Sequence, residues 1–197
     1  MDAFELLRND HAAVMELFGR YGELEDDELS AKAALFRRLR EELEAHAAIE
    51  EEVFYPAVRN ANPAIASALI RESYETQRLI RQILRDLSLG IPGVDDFDGR
   101  FMALRENVLR HVEEEEQEVF AEARASMTPL QLRLLGGTLS DRKRELGGRV
   151  HRARPALATT ARRALTRVGR AVTVALRRAR GGAQERSRRS SDRSSRR

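Results

Sequence analysis

Apolar side chains in the first part of the chain recur every three to four positions, which is the period of amphipathic α-helices. Short clusters such as NANP and LGIPG interrupt this pattern and indicate turns between helices. No stretch alternates between apolar and polar residues with a period of two, so no β-strand is expected. The pattern predicts helices at about residues 4–20, 30–58, 64–87 and 95–125, followed by a shorter one at about 129–146.

Four long helices joined by short links predict an all-α fold: an up-down-up-down antiparallel four-helix bundle with a short fifth helix. Gly147 and Gly148 end the short helix, so the bundle is expected to span residues 1–148. In this topology the second and fourth helices run in the same direction and lie diagonally opposite each other. Their inner faces are therefore expected to meet across the bundle axis.

Charge divides the chain into an acidic body and a basic C-terminal extension, residues 149–197. Residues 1–150 carry 20 Lys and Arg against 30 Asp and Glu, whereas residues 151–197 carry 15 Arg against 2 acidic residues. An apolar stripe flanked by arginines predicts a basic amphipathic helix at about 155–180, and the composition after it is typical of disorder.

Three interpretations of this arginine-rich tail stay open. It is typical of a segment that contacts nucleic acid through the phosphates, and the absence of aromatic residues makes such binding unspecific. It is equally typical of a helix that lies on an anionic membrane surface. The third alternative is that it folds back onto the acidic body. His151, the fourth histidine of the chain, lies in this tail and is interpreted as incidental.

One phrase occurs twice, as HAAIEEEVFYP at 46–56 and as HVEEEEQEVFA at 111–121. Each begins with a histidine, has a glutamate four residues later, and continues an apolar stripe, so each pair is expected to face the core. His11 occupies an inward position of the first helix, where Leu or Ile would be expected. The candidate site residues from this pattern are His11, His46, Glu50, His111 and Glu115.

Burying imidazoles and carboxylates in a small core is costly unless each group is paired, and metal ions are effective partners. Imidazole nitrogen and carboxylate oxygen suit iron, manganese or zinc, and carboxylates from opposite helices can bridge two ions. The alternative is a metal-free layer of His–Glu hydrogen bonds. The other glutamates of the EEEE run, Glu113, Glu114 and Glu116, are expected to face solvent.

The stretches LLRNDHAAVMELF, LEAHAAIEEEVFYPAVR, LRHVEEEEQEVFAEAR and LGGTLSDRKRELG resemble the hemerythrin-like (HHE) cation-binding family, over about residues 3–145. The resemblance implies a four-helix bundle around a bridged non-haem di-iron centre. Relatives use such centres to bind or sense dioxygen, nitric oxide or iron, or to break down peroxide.

The third helix departs from the family pattern, which often has histidines where this chain reads SYETQRLIRQIL. Gln77 stands at the expected sixth ligand position, so five of the six ligand positions that the resemblance implies are intact. An amide oxygen is a weak, neutral ligand. Tyr74 is a candidate substitute through its phenolate, and Tyr55 and Glu72 are more remote candidates. The di-iron centre is then incomplete, with one ion well held, or the site has decayed and the bundle serves as a scaffold.

These observations favour a metal-binding protein whose non-haem iron binds or senses dioxygen, nitric oxide or peroxide. The alternatives are an oxidoreductase that degrades peroxide at the same centre, or a metal-free interaction protein that acts through its basic tail. The polar start MDAFELLRND is no secretory signal, and no apolar run is long enough to span a bilayer. With no cysteine to form disulfides, a cytoplasmic location is expected.

Overall fold

The computed structural model describes residues 1–92 and 96–147, and the long elements within these residues are all helices. Together they form the predicted all-α bundle. The tail helix expected at 155–180 and the segment after it lie outside the described residues. The helices are α1 (Ala3–Gly22), α2 (Leu29–Ile49), α3 (Tyr55–Ala61), α4 (Pro63–Leu89), α5 (Phe97–Glu114), α6 (Phe120–Ser126) and α7 (129–147).

Two of the four predicted long helices each contain a π-helical turn in their C-terminal half. The first turn, Glu50–Phe54, joins α2 to α3, and the second, Glu115–Val119, joins α5 to α6. Each turn begins at the glutamate of a repeated His–Glu pair. A π turn takes one residue more than an α turn, and such turns are frequent at functional sites. The backbone N–H of Tyr55 therefore donates to the carbonyl of Glu50, five residues earlier.

The core consists of two apolar clusters, and a layer of buried polar side chains separates them along the long helices. On α1, for example, His11 lies between Leu7 of one cluster and Val14 of the other. The buried members of this layer are His11, His46, Glu50, Ser73, Gln77, His111 and Glu115. All four long helices of the bundle contribute to it, so the polar residues meet in the middle of the bundle.

Helix α7 is the short fifth helix that the sequence predicted, and it packs against the start of α1. Its side chains Leu132, Leu135 and Leu139 are buried in the same apolar cluster as Ala3. A β-carbon at position 136 would lie 2.6 Å from the backbone carbonyl carbon of Asp2, so this close approach requires the glycine found there.

None of the helices in the described part of the chain combines the length and the apolar character needed to cross a membrane.

Candidate metal centre

Four side chains from three long helices bring their ligand-type atoms together in the buried polar layer. The atoms offered by His11, His46, Glu50 and Glu115 all lie within 4.8 Å of one another. His46 Nε2 is 2.8 Å from Glu50 Oε1, because residues four apart on a helix share one face. His11 Nε2 is 3.2 Å from His46 Nε2 and 3.3 Å from Glu115 Oε2. These four residues were all named as candidates from the sequence.

Three of the four carboxylate oxygens in this cluster accept no hydrogen bond from the described residues, although histidine nitrogens lie close to two of them. Glu50 is 0% and Glu115 is 1% exposed, yet neither oxygen of Glu115 accepts a hydrogen bond within the described residues. Glu50 Oε1 accepts none either, although it lies 2.8 Å from His46 Nε2. Leaving buried polar groups unpaired costs about 1–3 kcal/mol each. A bound cation would remove that cost, and this set of nitrogen and oxygen donors suits iron, manganese or zinc.

The protonation of the cluster shows how strongly its charges depend on one another. Burial disfavours the imidazolium form of His46, but the carboxylates of Glu50, Asp10 and Glu115 together outweigh this and raise the pKa of His46 to about 10. Burial also opposes ionisation of Glu50, yet His46 and His111 together outweigh this and hold its pKa well below the usual range. Burial and the charge of Glu50 together raise the pKa of Glu115. Without a cation, the second carboxylate is thus harder to ionise than the first.

His111 and Gln77 adjoin the cluster on the side of α4 and α5. His111 is 4% exposed, and its Nε2 lies 3.9 Å from Glu50 Oε2 without forming a hydrogen bond. Gln77 is 3% exposed and faces the cluster, as the sequence pattern predicted. Its Nε2 donates to Glu50 Oε2 at 2.5 Å and to the hydroxyl of Tyr55 at 3.1 Å. His111 is thus near the four converging groups but is not one of them.

The phenol that reaches the cluster is Tyr55 rather than Tyr74, the substitute that the sequence favoured. The hydroxyl of Tyr74 donates to the backbone carbonyl of Glu51, which places it outside the cluster. Tyr55 is fully buried, and its hydroxyl donates to Glu50 Oε2 at 3.4 Å. The π turn is the reason, because it brings the residue five positions after Glu50 back over that side chain. Burial, together with the charges of nearby glutamates, raises the pKa of Tyr55 well above its ordinary value.

Two further carboxylates lie next to the Nδ1 atoms of His11 and His46, and the sequence did not identify either as part of the site. Glu116, expected to face solvent, is only 29% exposed, and its Oε1 accepts a hydrogen bond from His11 Nδ1 at 2.8 Å. Asp10 places Oδ2 3.6 Å from His46 Nδ1. A carboxylate behind a ligating histidine fixes the orientation of the ring and makes the nitrogen at the front more basic. The only sequence signal for these residues was their position next to Glu115 and His11.

A small cavity of about 20 Å³ borders the cluster. This volume holds one water molecule or a ligand of similar size. Its polar lining comes from His11, His46, His111, Gln77 and Arg81, and the rest is apolar. The apolar lining residues are Val14, Leu43, Ala47, Ile80, Leu84, Val108 and Val112.

Comparison with known proteins places these features in a family. The family described as the hemerythrin HHE cation binding domain matches residues 2–123. The crystal structure of an HHE cation-binding domain protein from Mycobacterium kansasii superposes with a TM-score of 0.69 at 22% identity, and the alignment covers 78% of this chain and 93% of that one. A curated relative, a DNA nickase from Nostoc, is 29% identical over 131 residues. That match covers 66% of this chain and 36% of the relative, so the chain spans about a third of the relative's length.

Proposed function

The chain belongs to the hemerythrin HHE cation-binding domain family, and we propose that it is a metalloprotein that uses non-haem iron to bind or sense a small oxidant. The four converging side chains, two histidines and two glutamates, would hold the iron. The oxidants of the right size and chemistry are dioxygen, nitric oxide and peroxide. Iron in this setting supplies reversible binding of such ligands or electron exchange with them.

The observation that carries this proposal is the set of buried carboxylate oxygens without hydrogen-bond donors. Both oxygens of Glu115 and one of Glu50 are in this state among the described residues. A purely structural His–Glu layer would pair them, since buried polar groups in folded proteins are nearly always hydrogen-bonded. The Nε2 atoms of His11 and His46 are 3.2 Å apart, which supports the same conclusion because two imidazole nitrogens this close can bind one ion.

The protein's own residues would prepare the site for a small ligand in two ways. The apolar walls of the cavity, such as Ile80 and Leu84, disfavour bulk water and leave space for one very small ligand. The carboxylate of Glu116 holds the ring of His11 by a hydrogen bond, which keeps Nε2 pointed into the cluster. Both features favour binding of a small uncharged molecule over binding of a bulky substrate.

The proposal is tested by expressing the protein with iron, removing loosely bound metal, and measuring iron by elemental analysis together with an absorption spectrum. We expect retained iron and a spectrum that changes on addition of nitric oxide to the reduced protein. A folded protein that retains no iron, manganese or zinc after loading would contradict the proposal. Peroxide turnover by the iron-loaded protein would favour the enzymatic alternative, a peroxide-degrading oxidoreductase, over binding and sensing alone.

A second function is proposed for the basic tail, residues 149–197. Its 15 arginines against 2 acidic residues within 151–197 fit the phosphates of nucleic acid, and the curated relative from Nostoc is named a DNA nickase. We propose unspecific DNA contact by the tail, without transferring the nicking activity of the much longer relative. Binding to anionic vesicles but not to DNA would instead favour a membrane surface as the partner.

A further inference from the structure

We propose that the centre takes one metal ion per chain, because Gln77 and Tyr55 hydrogen-bond to the carboxylate oxygen that a second ion would need. This inference rests on the proposed function, since it concerns the stoichiometry of the same site. It departs from the di-iron centre that the sequence resemblance implied.

The donors available to a first ion form a complete set. His11, His46, Glu50 and Glu115 supply two imidazoles and two carboxylates whose atoms are mutually within 4.8 Å. Two nitrogen and two oxygen donors are sufficient for one first-row ion, with further positions left for water or a small ligand. The carboxylates behind His11 and His46 support these two histidines in particular.

The donors available to a second ion are too few. On the far side of Glu50, towards α4 and α5, the buried polar side chains around its Oε2 are His111, Gln77 and Tyr55. A neutral amide is a poor ligand for iron, and the Tyr55 hydroxyl already donates its proton to Glu50 Oε2. Of these three side chains, only the imidazole of His111 is a strong donor for the second position.

Hydrogen bonding at Glu50 provides a positive reason for a single ion. A carboxylate that bridges two ions uses both oxygens, but Oε2 of Glu50 accepts from Gln77 Nε2 at 2.5 Å and from the Tyr55 hydroxyl at 3.4 Å. The amide nitrogen rather than the oxygen faces Glu50, because an amide oxygen there would be repelled by the carboxylate. The partially positive N–H groups of Gln77 thus lie next to Glu50 Oε2, where a second cation would otherwise bind. In this orientation the amide oxygen of Gln77, Oε1, accepts no hydrogen bond from the described residues.

The direct test counts metal ions in the wild-type full-length chain. The protein is loaded anaerobically with excess Fe(II) and, in a parallel sample, with Mn(II), then desalted and analysed for metal per chain. We expect one ion per chain and, for Mn(II), the six-line paramagnetic resonance spectrum of an isolated ion. Two ions per chain with an exchange-coupled spectrum would overturn the one-ion proposal and leave the proposed function standing. No retained metal would overturn both.

A matched pair of variants tests the role assigned to Gln77. Gln77→His replaces the N–H donor by an imidazole beside His111, so the count should rise from one ion per chain towards two. Gln82→His makes the same substitution at an exposed position of α4, and its count should stay at one. A folded Gln77→His protein that still binds one ion would show that Gln77 does not exclude the second. If that variant does not fold, the wild-type count alone decides the proposal.

Discussion

The ammonium group of Lys143 lies 2.5 Å from Oδ1 of Asp10, and this contact ties helix α7 to the candidate metal centre. The other oxygen of Asp10 is 3.6 Å from Nδ1 of His46, too far for a direct hydrogen bond but close enough for strong attraction between charges. Asp10 is 9% exposed. Burial opposes its ionisation, but His46 and Lys143 outweigh this and keep the pKa of Asp10 below its ordinary value. The short fifth helix therefore supports a residue that faces the site.

Replacing Lys143 by Met should destabilise the protein, because it removes the cation that directly contacts a buried carboxylate. We expect the free energy of unfolding of the metal-free protein to fall by about 1–3 kcal/mol. Arg144→Met is the matched control, since Arg144 is exposed and pairs with Asp141 of its own helix. It should change stability by less than about 0.5 kcal/mol. Urea unfolding followed by circular dichroism measures both, and equal effects would mean that the Lys143–Asp10 contact carries no special stability.

Removing the charge of Glu116 should weaken metal binding without removing a ligand. In Glu116→Gln the partner behind His11 becomes a neutral amide, which orients the ring less firmly and makes Nε2 less basic. We expect the affinity for metal to fall by about 10–100-fold. Glu118→Gln removes the same charge from an exposed position of the same π turn and should leave the affinity unchanged. Competition with a chelator of known affinity measures both variants, and equal losses would point to net charge rather than to the His11 contact.

Much of the fold was predictable because its main determinant is periodic. Inward positions three and four residues apart define the four long helices, and the same period places His46 with Glu50 and His111 with Glu115 on the core side. A histidine or glutamate on an otherwise apolar stripe is visible in the sequence alone. The layered arrangement, with polar residues between two apolar clusters, follows from continuing those stripes.

Two parts of the site were not predictable from helical period, for physical reasons. The π turns add one residue to the turn after Glu50 and after Glu115, and the first of them brings Tyr55 into the cluster. They also turn Glu116 from its expected solvent-facing position towards His11. The Lys143–Asp10 contact joins residues 133 positions apart, so it depends on how α7 docks and not on any local pattern.

The histidines of the centre should differ in their importance for metal binding. His46 belongs to the converging group of four, so His46→Ala should abolish metal retention. His111 lies outside that group, so His111→Ala should retain one ion per chain. A bound ion stabilises the folded state by mass action, so the rise in melting temperature on adding Mn(II) should vanish in the first variant and persist in the second. If the His111→Ala variant also loses all its metal, His111 is a ligand and the proposed set of four ligands is wrong.

Filling the cavity should slow ligand binding while leaving the metal in place. Ala47 lines the cavity on α2, next to His46 in sequence, and Ala47→Val adds two methyl groups to a space of about 20 Å³. We expect slower association of nitric oxide with the reduced iron protein, unchanged metal content, and an overpacking cost of about 1–3 kcal/mol. Ala34→Val, at an exposed position of the same helix, is the control. Unchanged association rates in Ala47→Val would show that the ligand does not enter through this cavity.

Removing residues 149–197 should separate the two proposed functions. The described residues up to 147 already contain the two apolar clusters and the polar layer, so the shortened protein should stay helical and retain the same metal per chain.

The shortened protein should lose DNA binding, because the removed segment holds the excess of arginines and the remaining body is acidic. In the full-length chain, DNA affinity should fall steeply with salt, since each neutralised phosphate releases counterions. Fluorescence anisotropy with a labelled duplex at several salt concentrations measures this. DNA binding of equal strength by the shortened protein would show that the contact surface lies on the bundle.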